Sequence, residues 1–369
     1  MIPPILHFTQ ALHDPTHALG WSLTQWQLAI RVARRLRLLA RLAAGLEAAG
    51  LTDQVPAAAR QHLIAELQLS SWRTQAMRWA VERIGMALAE APYPRVLLKG
   101  SAYLGQQLPI AMGRLPSDLD MMVPRADIDD AVARLEREGW QSLALDDYDR
   151  HYYRAWSHEV PPMHHPVHTM ELDLHHNILP PLARTHVDAD ALLARLRPSL
   201  WPLWKVLHPV DQVLHSAAHL FLDAEPRERV RDIVDLDGLM RHFAIAEPGF
   251  WDDLPERAVA LGLSEPLALA AHFTTAWFDT PVPSATRLRI EADGPARHRR
   301  AWLYPLWQTL LTPTDPDRTQ SRRQALAAFV VLARYHRNRL PLRLLIPHLW
   351  HKWRHKPAAV DPAAPADAA

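Results

Sequence analysis

The sequence predicts an α/β (α+β) protein in which a mixed-sheet core is flanked by helical N- and C-terminal regions. Three observations carry this. Short apolar runs at residues 95–98 and 119–123 bracket a Lys99-Gly100-Ser101 turn and a helix-like segment. Residues 167–174, VHTMELDL, alternate cleanly, with Met170, Leu172 and Leu174 facing one way and Glu171, Asp173 and His175 the other. On both sides of this core the apolar residues recur at three- and four-residue steps, and 32 prolines cut the helices short.

Taken in order, residues up to Gly20 read as an irregular lead-in. Ser22 or Thr24 caps a long helix that ends at Gly50, a residue suited to the left-handed turn after a helix. Leu28, Val32, Leu36, Leu39, Leu42 and Leu46 form its apolar stripe, while Arg31, Arg34, Arg35, Arg37 and Arg41 read as a solvated face rather than an RNA surface. Two further helices are expected at 56–67 and 72–91, the second closed by Pro92 and Pro94. A buried strand at 95–98, a short helix at 101–107 and a strand at 119–123 follow. Asp127 opens a helix that stops at Gly139, and 140–145 and 151–156 read as further strands. After Pro180-Pro181 helices are expected at 188–196, 210–222, 227–243, 251–261, 266–278, 297–311 and 319–339. The expected division is a helical region 1–94, a catalytic core 95–179, a helical region 180–356 and a disordered tail 357–369.

Bulk composition excludes more than it selects. The 369 residues suffice for two or three domains. Forty-one basic against 40 acidic residues leave a net charge of +1, so charge announces no nucleic-acid partner, and DNA is not expected. Cysteine is absent, which excludes disulfides and thiolate metal sites and fits a reducing compartment. The N-terminus lacks a basic start and a cleavage site, and no apolar run approaches the ~18 residues of a spanning helix. The expectation is therefore a cytoplasmic protein without a transmembrane segment.

The chemistry concentrates between residues 97 and 123, LLKGSAYLGQQLPIAMGRLPSDLDMMV. Residues two apart on a strand share a face, so Asp118 and Asp120 lie under about 7 Å apart. Two such carboxylates repel unless a cation sits between them. Asp173, on the alternating strand, is the best third oxygen ligand, with Glu171 on the same face as runner-up. Three carboxylates on a rigid platform suit two magnesium ions about 3.5–4 Å apart, the arrangement that stabilises both the attacking and the leaving oxygen in phosphoryl or nucleotidyl transfer. Asp173 can also take the proton of an acceptor hydroxyl. Backbone amides of Gly100 and Ser101 and the Ser101 hydroxyl can hold phosphates where the strand passes into the helix, and Lys99 and Arg114 are flanking cations.

With these residues in place, LLKGSAYL, GRLPSDLDMMV and MELDLHHNI resemble the nucleotidyltransferase superfamily founded by DNA polymerase beta, with its hG[GS] turn, [DE]h[DE] pair and later h[DE]h strand. The nearest branch is similar to an uncharacterised bacterial nucleotidyltransferase family with LKG, RxxDhD and hDhH segments. That family also carries a tail with a His-bearing helix and an RxxxDhxxL-like segment, matched here by His215 and His219 in LHSAAHLF and by RVRDIVDLDGL at 229–239. Abortive-infection nucleotidyltransferase toxins share the pattern more distantly. The resemblance implies a polymerase-beta-like core, nucleotide (ATP or another NTP) at Gly100 and Ser101, and magnesium at Asp118, Asp120 and Asp173. It implies transfer of an NMP with release of pyrophosphate to an acceptor: a small molecule, a protein or a tRNA. A toxin acting on tRNA, or an inactive nucleotide-binding scaffold, are the alternative readings. Nothing matches the basic RNA-binding appendages of poly(A) or CCA-adding enzymes.

Three features invite other readings. His215 and His219 have zinc-ligand spacing, but HSAAH lacks the glutamate of HExxH, which favours packed histidines over a zinc site. Asp232, Asp235 and Asp237 read mainly as helix-supporting charges. The His-rich stretch 158–168 reads as a surface loop rather than a lid. At 340–356, tryptophans and basic residues suggest peripheral membrane contact, but Pro347 favours a domain-packing helix.

Overall fold

The computed structural model describes residues 4–143, 145–224, 227–317, 319 and 321–354. What reads as lead-in is helix α1 (Pro4–His13) and a 3₁₀ turn, Pro15–Gly20, capped by the Asp14 side chain. Ser22 then caps α2 (Leu23–Arg35): its hydroxyl accepts from the Gln25 amide while the Gln25 side chain accepts from the Ser22 amide. The single helix expected up to Gly50 is two. Arg37 turns left-handed at φ +57°, the Leu38 amide closes onto the Ala33 carbonyl at 2.8 Å, and α3 (Leu39–Ala48) leaves in a new direction. Leu36 and Leu38 flank the break and Leu39 opens α3, and all three are buried. Conversely, the two helices expected from 56 to 91 are one, α4 (Ala57–Ala87), because residues 68–71 hold neither glycine nor proline to stop it.

The core elements run β1 (Val96–Leu97), α5 (Lys99–Gly105), β2 (Asp118–Met122), α6 (Ile128–Arg137), β3 (Gln141–Ser142), α7 (Asp147–Trp156), β4 (Met163–His164), β5 (Glu171–His175), α8 (Ala189–Leu193), β6 (Arg197–Pro198) and β7 (Lys205–Val206). Among the described residues they form one mixed sheet, ordered β3-β4-β5-β2-β1-β7-β6. The centre is β2 and β5, parallel and in register, with Asp118 opposite Glu171, Asp120 opposite Asp173 and Met122 opposite His175. Leu119, Met121, Leu172 and Leu174 are fully buried on one face, which leaves the acidic side chains and His175 together on the other. The sheet continues past the change of texture at Pro180: β7 pairs parallel with β1 and carries β6 beyond it.

The strand expected at 151–156 is instead the end of α7. Asp146 caps that helix by accepting from the Asp149 amide, and Tyr148, Tyr152 and Trp156 then fall on one face at four-residue spacing. Tyr148 and Tyr152 stack on His348 and His351 of a C-terminal helix, the closest ring centroids 3.7 Å apart, a contact that period-two reading has no means to see.

The remaining chain is helical: α9 (Pro209–Phe221), α10 (Val230–Ala246), α11 (Phe250–Ala260), α12 (Ser264–Phe278), α13 (Ser284–Asp293), α14 (Arg297–Leu311), α15 (Arg322–Arg339) and α16 (Leu342–Arg354). Helices α9, α10, α11 and α12 pack on one another, and α9 also meets α5, which brings this layer over the polar side of the sheet. Helix α16 accommodates Pro347 within it and docks on α7. No helix among the described residues is long and apolar enough to cross a membrane. The tail 357–369, expected to be disordered, lies outside the described residues.

Candidate active site

The polar face of β2 and β5 floors a cleft of about 240 Å³. Asp118, Asp120, Asp173, His175 and Lys99 line it from the sheet, His158 and Glu159 from the connection before β4, and His219, Asp223, Tyr335 and Arg339 from the helical layer. The three aspartates expected to act together are therefore together. Asp120 and Asp173 sit directly opposite on neighbouring strands, about 4.8 Å apart at the backbone, and Asp118 is two residues along on the same face. Glu171 shares that face but points to His164, at 3.3 Å, and is not part of the cleft lining.

Asp120 is the most committed of the three. It is 4% exposed and accepts from Lys99 Nζ at 2.8 Å and from His175 Nε2 at 3.1 Å. Burial works against its charge, but Lys99 and His175 outweigh it and hold the carboxyl well below the usual range. Lys99 responds in kind: burial opposes its ammonium, Asp120 outweighs burial, and its pKa is raised. Lys99 reaches this position from a left-handed backbone, φ +44°, at the strand-to-helix corner. Asp173 has no such cation. Burial first, and then the neighbouring Asp120 charge, push its carboxyl up to about 7. Asp118 is freer, bonded by the Ser117 hydroxyl at 2.7 Å.

The turn itself departs from expectation in two places. The Ser101 hydroxyl faces inward rather than into the cleft, lying 2.7 Å from the Leu98 carbonyl and 2.8 Å from the Asp120 carbonyl, and the residue is 1% exposed. It ties the turn to β2, so only its backbone amide remains for a phosphate. Arg114 does not line the cleft either. Its Nε donates to Asp235 at 2.9 Å, its guanidinium lies 5.5 Å over the Tyr103 ring, and both members of the pair are buried. A buried guanidinium is cheapest beside a buried carboxylate, and that partner comes from α10, more than a hundred residues away. Gly100 is required by this packing. A Cβ there would fall 2.2 Å from Arg114 Nη1. Gly100→Ala is expected to push Arg114 off Asp235 and cost about 2–3 kcal/mol of stability, read from the midpoint of urea unfolding.

The tail motifs act at this distance. Asp235 holds Arg114. Arg229 is held by Asp232 at 2.5 Å and Asp223 at 2.6 Å and donates from Nη2 to His219 Nδ1 at 2.8 Å, which leaves the His219 proton on Nε2. Asp237 pairs with Arg241 at 2.7 Å. All three acidic residues of this segment thus serve ion pairs rather than solvent. Burial, followed by the nearby Lys99 charge, holds His215 and His219 well below the usual histidine range. The zinc alternative for these two finds no support, since one ring nitrogen of His219 is already taken by Arg229. Residues missed in the sequence are His158, Glu159, Tyr335, Arg339 and the contact of His175 with Asp120. His175 carried a signal, its place two residues after Asp173, and His158 and Glu159 begin the His-rich stretch read as a surface loop, whose first two residues instead line the cleft.

A family model described as "Uncharacterised nucleotidyltransferase" matches residues 22–279, more than half of the chain and all of the sheet. The chain belongs to this nucleotidyltransferase family. No curated protein and no solved structure matches it. The family match starts at the Ser22 cap and runs through α12, so it includes α2, α3 and α4 and the helical layer that supplies Asp235 and His219, while α1 lies before it.

Proposed function

We propose that the protein transfers an NMP from an NTP to a hydroxyl or phosphate of an acceptor, with release of pyrophosphate and dependence on magnesium. The observation that supports it most is the shared cleft of Asp118, Asp120 and Asp173. The donor set fits a hard divalent cation: carboxylate oxygens on adjacent rigid strands, one neutralised by an ammonium and another pushed up to about 7 by burial and the neighbouring Asp120 charge. Magnesium held by these three residues would neutralise the charge that builds on the attacking and leaving oxygens.

The chain's own groups have distinct tasks. Asp120 fixes the centre of the site through its two donors. Lys99, which the structure holds against Asp120 at the edge of the cleft, is the ammonium that would meet the triphosphate. The turn at Gly100 and Ser101 presents backbone amides, held in place by the Ser101 hydroxyl and by Arg114. Asp173 accepts the proton of the acceptor hydroxyl. His219, with its proton on Nε2, adds a neutral donor on the opposite wall. The test is incubation with each α-labelled NTP and fractionated lysate. A labelled product is expected with the wild type and none with Asp118→Ala/Asp120→Ala; equal labelling by both proteins would remove this function.

A pH dependence follows from Asp173. A carboxyl must lose its proton to bind metal, and this one holds it up to about pH 7. Below pH 7 each binding event has to expel that proton, so magnesium affinity falls by up to about tenfold per pH unit, and above it the affinity levels off. Calorimetry in buffers of different ionisation enthalpy is expected to register roughly one proton released at pH 6 and little at pH 8. Asp173→Asn is expected to flatten this profile.

A further inference from the structure

Beside the aspartates, three residues of the cleft wall form a second group of potential ligands with different chemistry. His158 and Glu159 come from the segment before β4, and an isolated bridge between Glu159 and His175 holds that segment against the end of β5. One donor atom from each of His158, Glu159 and His175 lies within 4.8 Å of the other two. His175 Nδ1 is 3.5 Å from Glu159 Oε2, and His158 Nε2 is 3.9 Å from the same oxygen. Two ligands about 2.1 Å from a tetrahedral metal stand about 3.4 Å apart, so these gaps need only a small contraction.

An independent observation concerns a ring nitrogen without a partner. His175 is 3% exposed, yet its buried Nδ1, the nitrogen that faces Glu159, has no hydrogen-bond partner. Leaving a buried polar atom unpaired costs roughly 1–3 kcal/mol, and one aimed at a neighbouring carboxylate in a cleft wall is a place for a further ligand. The tautomer of His175 is set from the other side. Its Nε2 faces the Asp120 carboxylate at 3.1 Å, an oxygen with no proton to give, so Nε2 carries a hydrogen and Nδ1, facing Glu159, is the nitrogen left to coordinate a cation. This carboxylate–histidine arrangement is the one that orients and strengthens imidazole ligands of metals.

The geometry points to a second cation site, for a divalent transition metal such as zinc, built by His158, Glu159 and His175 in the wall of the cleft. Two imidazole nitrogens and one carboxylate are a poor set for magnesium, which demands oxygen, and a good set for zinc or cobalt. All three residues line the same cleft as the aspartates, so three protein ligands leave the remaining coordination position to a group within it. The site stands on its own residues and does not depend on the nucleotidyl-transfer reading.

The test uses the purified full-length chain after chelator treatment, titrated with Co²⁺ and then Zn²⁺ in the presence of excess magnesium. Stoichiometric binding is expected, with a visible Co²⁺ absorption band of a four- or five-coordinate site and a rise in melting temperature with Zn²⁺. His158→Ala and Glu159→Gln, both on the partly exposed segment, are each expected to weaken Co²⁺ affinity tenfold or more. Asp118→Ala is expected to leave it within about threefold. Far-UV circular dichroism of each variant separates lost binding from lost folding, and Glu159→Gln keeps the side-chain shape should His158→Ala fail to fold. Two results would overturn the site: no Co²⁺ binding by the folded wild type, or binding that magnesium displaces and Asp118→Ala abolishes while His158→Ala retains it.

Discussion

Asp118→Asn is expected to lower nucleotidyl transfer on the order of 10³-fold or more while the protein melts within a few degrees of the wild type. Taking away a ligand of the transferring phosphate's cations removes several kcal/mol of transition-state stabilisation, and about 4 kcal/mol corresponds to that factor. Stability is spared because Asp118 is only half-buried and its side chain accepts from the neighbouring Ser117 hydroxyl rather than from a buried cation. Asp120→Asn makes the informative contrast. That carboxylate neutralises Lys99, and both side chains are largely withdrawn from water. Removing the charge strands a buried ammonium at a cost of about 3–5 kcal/mol, so Asp120→Asn should lose folding stability as well as activity. Single-turnover transfer from a labelled NTP, paired with urea unfolding of each variant, measures both quantities. Comparable activity in Asp118→Asn and the wild type would remove Asp118 from the site.

The second large effect lies outside the cleft. Asp235→Ala should destabilise the protein by about 3–5 kcal/mol, since it leaves the Arg114 guanidinium buried without a counter-charge. Activity should fall with it even under conditions where the variant stays folded, because Arg114 packs against the Gly100 corner and a displaced guanidinium moves the turn. Arg114→Met/Asp235→Leu separates the two consequences. Replacing both charges with apolar side chains of similar size relieves most of the stability loss, since a buried ion pair contributes little net against a well-packed apolar one. If the double variant is stable yet still impaired in NTP binding, the pair's work is to position the turn. Equilibrium unfolding and fluorescence titration with an NTP analogue give the two readouts. Additive losses in the double variant would mean that Arg114 and Asp235 act separately.

Sequence reading went furthest where the physics is local. Side-chain alternation in ELDLH and the two-residue spacing of Asp118 and Asp120 are properties of any strand, so the acidic face could be written down before the strands were paired. A cap at Ser22, one of the two candidates with Thr24, the stop at Gly139 and the opening near Asp127 are equally local. Helix ends failed where a tertiary demand intervened. The left-handed break at Arg37 separates α2 from α3 with buried leucines on both sides, and α7 stands where a strand is expected, its tyrosines stacked on His348 and His351 two hundred residues later.

For this protein, then, the sequence alone determined the shared face of Asp118 and Asp120, the glycine turn and the nucleotidyltransferase family, whereas Asp173 joins the pair through the side-by-side placement of β2 and β5. Only the tertiary structure decided which cations are available. Arg114 and Ser101 read as phosphate ligands until long-range partners claim them: Asp235 takes the guanidinium and the Asp120 carbonyl takes the hydroxyl. Lys99, by contrast, is drawn into the cleft by Asp120, and His175, Glu159 and His158 meet there from separate segments. Charge and hydrogen-bond capacity are saturable, and which groups satisfy one another depends on distances that no local spacing encodes.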